Sequence, residues 1–342
     1  MGKTGTSSIQ SFLNRNRTGL TDAGILYPRT PGLGRHVRLG LSFQPDNRLD
    51  GLPAWRRLGC TDPQAFRTAF QRQLFKEIDE AGSSLVLLSD EGLYGLPDES
   101  LRNLGRFVRR IGRTARVVVY LRRQDDHLVS HYQQVVKKRG ETRRLVDRIR
   151  QADYSKIHDY HARLRSWQRL AEPDVLTVRR FEPDLFAGGS LLEDFFESAA
   201  LEAPIDGFKR VQPRNESLGA ESVEFLRIVN LLRKQDPAAK VLPPGDVMVS
   251  QLRKLNDGPT LTAPKPLLDE LMGRWEASNK AVAHEFIGDG EPLFRTPRKT
   301  RNTTTEQRLE PARLEQFIAL LELPDQVHAP LRALAKREAR VV

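Results

Sequence analysis

The sequence predicts an α/β protein: a three-layer sandwich around a central parallel sheet, followed by a helical C-terminal region. Three observations carry this. Apolar runs of strand length recur at residues 84–89, 115–121 and 174–181. The segments between them repeat with helical periodicity, and alternating strands and helices imply parallel strands joined by right-handed crossovers. After about residue 205 the strand signals stop while helical periodicity continues, so an α/β core over residues 1–205 and a helical region over 206–342 packing on it are expected.

The elements follow in order. The chain opens on Met1-Gly2-Lys3-Thr4-Gly5-Thr6-Ser7-Ser8-Ile9-Gln10 and runs straight into a short helix, expected over residues 7–17. Residues 24–28 (GILYP) read as a brief strand ended by proline. Residues 32–53 are rich in glycine and proline and read as a long loop with one helical turn at 37–41, a type of segment that often carries function. Phe66, Phe70, Leu74 and Ile78 recur every four residues and predict a helix over 63–81, stopped by Gly82. SLVLLS at 84–89 reads as a strand buried on both faces. Leu101, Leu104, Phe107, Val108 and Ile111 give residues 97–111 one apolar side. ARVVVYL at 115–121 is rich in β-branched residues and reads as a second strand. Helices are expected at 125–139 and at 154–171, the latter with Trp167 and Leu170 inward. DVLTVRRF at 174–181 is a third strand, and 189–198 a further helix. Beyond them, helices are expected at 216–234, 265–287, 309–321 and 324–338, with loops at 243–245 and 296–305. A basic cluster of Arg295, Arg298, Lys299 and Arg301 marks the second loop.

Fifty-five lysines and arginines against 44 acidic residues give a net charge of +11, which implies anionic partners. Nucleotide, sulfated or carboxylated polymer, nucleic acid and acidic lipid all qualify, and an arginine-rich composition with no ligand is the plain alternative. Nucleic acid is not expected as a partner, because the charge comes without interleaved aromatic residues. The single cysteine, Cys60, excludes an intramolecular disulfide and a cysteine-rich zinc site, and points to a reducing cytoplasm. No apolar run approaches the roughly 20 residues needed to span a bilayer, and the polar, glycine-rich start does not read as a signal peptide. His127 and His131 share a helix face at i, i+4 spacing, but no third ligand accompanies them, so no metal site is expected.

Three constellations can carry chemistry. The first is the opening stretch. Glycines let a backbone close around an anion, the N–H groups at a helix start point at it, and the helix dipole favours its charge. Lys3 adds a point charge, and Thr6, Ser7 and Ser8 add hydroxyl donors. The second is YLRRQDDHLVSHY, residues 120–132, where Arg122 and Arg123 follow a strand end. Ligands of open α/β sheets sit at that edge. Ser130, eight residues after Arg122, falls about one turn into the next helix, so the two side chains are placed to grip one phosphate from two sides. The alternative is a helix start with solvated arginines. The third is LLSDE at 87–91, where Asp90 and Glu91 follow another strand end and suit acid–base work; the alternative is a helix-cap pair. His36, in the 32–38 loop, is a further candidate base.

Two nucleotide readings compete. Gly2-Lys3-Thr4 can be the tail of a Walker A loop with LVLLSDE as its Walker B strand, giving a magnesium-dependent ATP kinase or NTPase. A Walker lysine and threonine lead directly into the helix, however, whereas here Gly5-Thr6-Ser7-Ser8 intervenes. Read instead as one loop, Lys3-Thr4-Gly5-Thr6-Ser7-Ser8-Ile9-Gln10 together with YLRRQDDHLVSHYQQ resembles the sulfotransferases that use 3′-phosphoadenylyl sulfate, above all the bacterial branch acting on carbohydrates. Lys3, Gly5, Thr6, Ser7 and Ser8 match the family's K-[ST]-G-T-[TS] loop for the 5′-phosphosulfate. Arg122, Asp126 and Ser130 match its R-x-x-x-D/E-x-x-x-S frame for the 3′-phosphate. Val178-Arg179-Arg180-Phe181-Glu182 with Leu192-Glu193-Asp194-Phe195, Arg214-Asn215-Glu216-Ser217-Leu218, and Ala277-Ser278-Asn279 echo the family more weakly. The likeness covers most of the chain, strongly at residues 2–13 and 118–134. It departs from the pattern in two places. The late R-K-G loop has only Arg298-Lys299 as a candidate substitute. The strand that should precede the phosphate loop is missing, and a start codon assigned too late is the expected reason.

The resemblance implies a P-loop-type sandwich, a nucleotide-binding core, and sulfuryl transfer from 3′-phosphoadenylyl sulfate to an acceptor hydroxyl, most simply of a carbohydrate, with no metal required. It implies donor binding by Lys3, Thr4, Gly5, Thr6, Ser7, Ser8, Arg122 and Ser130, with Lys3 catalytic on the bridging oxygen. Glu91 is the first choice of general base and His36 the second. The non-enzymatic alternative is a catalytically inactive basic protein that binds nucleotides or polyanions.

Overall fold

The computed structural model describes every residue except 113, 152, 204, 210–216, 256, 257, 341 and 342. It is a mixed α/β structure in which helices predominate and the strands form short parallel pairs. Two compact units interleave along the chain. The first comprises Met1–Arg122, Tyr154–Arg214 and Trp275–Thr296; the second comprises Arg123–Asp153, Asn215–Arg274 and Pro297–Val342.

The first unit holds helices α1 (Thr6–Arg15), α2 (Val37–Ser42), α3 (Pro63–Ala81) and α4 (Asp98–Ile111). It also holds strands β1 (Ile25–Leu26), β2 (Leu85–Val86), β3 (Arg116–Leu121) and β4 (Val175–Arg180). β1 runs parallel to β2, with Ile25 opposite Leu85. β3 runs parallel to β4 in register from Arg116 opposite Val175 to Leu121 opposite Arg180. Asp62 caps α3 by accepting from the Gln64 and Ala65 amides, and Gly82 ends the helix in the left-handed conformation.

Three apolar clusters hold this unit together. Ile9, Phe12 and Leu13 of α1 pack against Ile25, Leu87 and Tyr120. Met1 packs with Val119, Leu121 and Val178, which sets the opening segment at the carboxyl end of β3. Leu39 of α2, Phe70 and Leu74 of α3, and Leu104 and Phe107 of α4 form the third cluster. Each such side chain, fully buried, contributes about 1.5–3 kcal/mol.

The second unit is built on α5 (Gln124–Arg139), α6 (Ala220–Gln235) and α7 (His328–Ala339). Among apolar side chains such as Phe225, Ile228, Phe317 and Leu331 it buries one polar cluster. Arg227 is 2% exposed and pairs with Glu224 at 2.6 Å and Glu338 at 2.8 Å. Gln307 donates to the other Glu224 oxygen and to the Tyr132 hydroxyl. A buried charge is tolerated only when paired this fully.

Several expectations change. Residues 32–53 hold the expected helical turn, as α2, and a second, unexpected one at Asp46–Leu49. The helix expected over 154–171 is three pieces, Ser155–His158, Tyr160–Ser166 and a π-turn at Trp167–Ala171. Asp159 breaks it, because its carboxylate caps a new start by accepting from the Ala162 amide. The 265–287 helix likewise divides into Lys265–Gly273, Glu276–Val282 and a π-turn at Ala283–Ile287. A third parallel pair, β5 (Thr260–Leu261) with β6 (Thr303–Thr304), lies where no strand is expected. Two-residue strands without an apolar run leave no periodic signal. Arg214, Asn215 and Glu216, part of one family-like motif, lie outside the described residues. Among the described residues, no helix is long and apolar enough to cross a membrane.

Candidate functional site

The opening stretch folds into a tight loop because two residues take left-handed backbone, Lys3 at φ 63° and Gly5 at φ 71°. Lysine rarely adopts this conformation, and its φ marks a constrained position. At Gly5 the glycine is needed twice over. Besides the positive φ, a Cβ there would stand 2.2 Å from Leu191 Cδ2 and 3.1 Å from the Phe181 ring. The buried Thr4 hydroxyl donates to the Met1 carbonyl at 2.5 Å and closes the loop from within. Helix α1 begins at Thr6, so Thr6, Ser7 and Ser8 form its first turn, in which the Ser8 amide already donates to the Gly5 carbonyl at 2.9 Å. Ser7 is exposed and Thr6 and Ser8 are half-buried.

Arg122 follows the end of β3 and donates from Nη1 to the Lys3 carbonyl at 3.2 Å. Its guanidinium lies 5.8 Å from the centre of the Phe181 ring. Its own carbonyl accepts from the Tyr160 hydroxyl at 2.6 Å. The first strand-end arginine and the opening loop are thus in direct contact, although 119 residues separate them.

Glu91 stands on the other side of the loop. Its Cγ is the nearest atom to a Cβ built on Gly2, at 3.7 Å. Gln10 of α1 donates from Nε2 to Glu91 Oε2 at 3.1 Å, and Arg35 reaches Glu91 Oε1 at 3.2 Å. Arg35 also donates from Nε to Asp90 Oδ1 at 2.6 Å, and the same oxygen accepts from the Gly92 amide. Burial raises the Asp90 carboxyl above its ordinary range, while Arg35 opposes the shift. Gly40 makes room for this carboxylate, since a Cβ there would lie 2.0 Å from Asp90 Oδ2. Glu91 keeps its side chain 24% exposed, whereas Asp90 is sealed at 1%, so of the two only Glu91 is accessible from outside.

His36 sits behind this pair and is fully buried. Its amide donates to the Ser89 carbonyl at 3.0 Å, and its Nδ1 accepts from the Ser89 amide at 3.2 Å. The ring stacks on Tyr27 at 4.2 Å. Burial, helped by the Arg17 charge, pushes its pKa down to about 3. His36 therefore fixes the turn that carries Glu91 and has no path to solvent. Arg17 holds the intervening segment by donating to the Tyr27, Pro28, Gly32 and Leu33 carbonyls.

The first unit brings together Lys3, Thr4, Gly5, Thr6, Ser7, Ser8, Arg122, Glu91 and His36. Ser130 belongs to the second unit, half-buried on α5. In that unit Arg298 donates to Asp125 at 2.7 Å and to Asp269 at 3.0 Å, and Arg123 also holds Asp125. Arg298, the candidate substitute for the family's late arginine, is thus committed to two carboxylates. The His127 and His131 rings stack at 6.0 Å, and among the described residues no group of three His, Cys, Asp or Glu side chains is assembled. Sequence reading missed Arg35 and the inward reach of Gln10. Only the i, i+1 neighbourhood of Arg35 and His36 in a glycine-rich stretch hinted at the first.

No family model matches the chain, and no solved structure matches it. A stretch of 145 residues is 26% identical to an uncharacterized protein of Archaeoglobus fulgidus. It covers 42% of this chain and 38% of that protein, so the match spans about two fifths of either.

Proposed function

We propose that the chain is a sulfotransferase that moves a sulfuryl group from 3′-phosphoadenylyl sulfate to a carbohydrate hydroxyl, on a P-loop-type core in a cytoplasmic setting. One observation carries the reading. Three pieces distant in sequence meet at one place: the left-handed Lys3–Gly5 loop, the Arg122 guanidinium on the Lys3 carbonyl, and Glu91 held beside the loop by Gln10 and Arg35.

In this reading the acceptor oxygen attacks sulfur, the bond from sulfur to the 5′-phosphate oxygen breaks, and 3′-phosphoadenosine 5′-phosphate leaves. The acceptor proton passes to Glu91. Lys3 offsets the charge that grows on the leaving oxygen, an interaction stronger in the transition state than before it. The Thr6 and Ser7 amides and the Thr6, Ser7 and Ser8 hydroxyls hold the 5′-phosphate. Thr4 shapes the loop from inside. A guanidinium carries five N–H donors, so Arg122 can hold the loop carbonyl and a 3′-phosphate together. Ser130 is assigned to that phosphate from its spacing alone. Glu91 is the base in preference to His36, because the His36 ring is enclosed and already accepts from the Ser89 amide.

Calorimetry with 3′-phosphoadenosine 5′-phosphate tests the donor assignment. Binding without magnesium is expected. Magnesium-dependent binding of ATP alone would transfer the reading to a kinase, and binding of neither nucleotide would leave a polyanion-binding protein. Lys3→Ala should lower transfer at least about 100-fold, and a variant keeping a tenth of the rate sinks the lysine's role.

A further inference from the structure

A polar cavity lies apart from the loop and Glu91. It has a volume of about 470 Å³ and is lined by α3, α4 and residues 42–46, within the size range of ligand clefts. Gln64, Arg67 and Gln71 on α3 and Asn103, Arg106 and Arg110 on α4 contribute to it. Their spacings of three and four residues place each set on one helix face. From Glu99, at the start of the α4 stripe, to Arg110 the groove runs about 16 Å along the helix.

The charges in the groove are unequally spent. Arg67 is structural: it donates to the Ser42 and Gln44 carbonyls and pairs with Asp46. Arg106 donates to the Asn103 amide oxygen at 2.5 Å, and Arg110 to the Gln71 amide oxygen at 3.2 Å. A neutral amide orients a guanidinium without cancelling its charge, and an amide that accepts from arginine still offers its NH₂ donors. Both arginines are exposed, and Glu99 is the acid opposing them. The aromatic floor, Phe43 and Phe107, is buried at 8% and 3% exposure, so no ring is presented for a nucleobase to stack on. A groove of oriented guanidiniums alternating with amide donors suits a chain that carries both anionic groups and many hydroxyls.

We infer that this groove binds a linear saccharide chain bearing sulfate or carboxylate groups. Helix α2 connects it to the candidate site. The residue that precedes α2, His36, bonds Ser89 beside Glu91, and its last residue, Ser42, lines the groove. Six residues of helix span about 9 Å, so a chain held in the groove lies within a few sugar units of Glu91. The inference takes its saccharide class from the proposed transfer to carbohydrate, but the groove is tested without donor, and its failure would leave donor binding untouched.

The test is fluorescence anisotropy of a labelled chondroitin sulfate octasaccharide with the full chain at low salt. Arg106→Gln combined with Arg110→Gln should weaken binding about tenfold, through loss of two solvent-exposed ion pairs with the saccharide. Arg56→Gln combined with Arg57→Gln removes the same charge from an exposed helix outside the groove and should change binding less than about twofold. Equal losses in the two double variants would overturn the site, since the net charge alone would then explain binding. Polyglutamate or a DNA strand bound as tightly as the oligosaccharide, and lost equally in the groove variant, would overturn the saccharide assignment.

Discussion

Protonation of His36 is one route by which acid should weaken this fold, and it can be isolated by comparison with a variant of this residue. Its pKa lies near 6.5 when unfolded and at about 3 in the folded protein, where burial and Arg17 disfavour the imidazolium. Because the folded value is depressed, the His36 contribution is complete above pH 6.5 and falls as the pH drops from 6.5 towards 3, where only the unfolded chain accepts the proton. At pH 5 the loss is about 2 kcal/mol, and its ceiling is about 5 kcal/mol, at about 1.4 kcal/mol for each tenfold change in proton affinity. Urea denaturation followed by tryptophan fluorescence at pH 7.5, 6 and 5 measures it. His36→Asn keeps an acceptor near the Ser89 amide but cannot take up the proton. The variant is expected to be less stable at pH 7.5, through loss of the Tyr27 stack, and to lose about 2 kcal/mol less than the natural chain between pH 7.5 and pH 5. Parallel losses in the two proteins would refute the enclosed neutral ring.

Two further outcomes are expected. Glu91→Gln keeps the side chain's shape and one of the two contacts that its oxygens accept from Gln10 and Arg35, so it should leave calorimetric donor binding unchanged and reduce transfer by about 10²–10⁴; a fully active variant would move the base elsewhere. Gly5→Ala must place a methyl group against Leu191 and Phe181 at a positive φ. It should cost about 1–3 kcal/mol in thermal or urea unfolding and abolish donor binding, and a variant with natural stability would show that the loop is not packed as described.

Much of the first unit was legible from local pattern. The four-residue repeat of Phe66, Phe70, Leu74 and Ile78 marks α3 to the residue, and the β-branched run before Leu121 marks β3. Both signals are local, because a helix face and a buried strand repeat within one or two turns of chain. Glycines and hydroxyls ahead of α1 likewise mark the loop without reference to anything distant. The breaks at Asp159 and after Gly273 were not legible, since capping competes with continuous periodicity only once the surrounding side chains are placed.

Local sequence fixes α3, β3 and β4, the basic charge and the phosphate-cradle composition of residues 2–8, but not the breaks in the 154–171 helix or the shortening of the 84–89 strand to Leu85–Val86. Tertiary structure alone decided which polar groups meet. Arg122 finds the Lys3 carbonyl across 119 residues, and Gln10 finds Glu91 across 81. Sequence ranks Glu91 ahead of His36 as the base, but only the fold encloses the His36 ring behind Ser89 and leaves the Glu91 side chain partly exposed. Arg298 looked like a phosphate ligand and is instead bound to Asp125 and Asp269. The physical reason is one of range: periodicity and backbone preference act over a few residues, whereas burial, ion pairing and proton affinity depend on what the packed fold brings alongside.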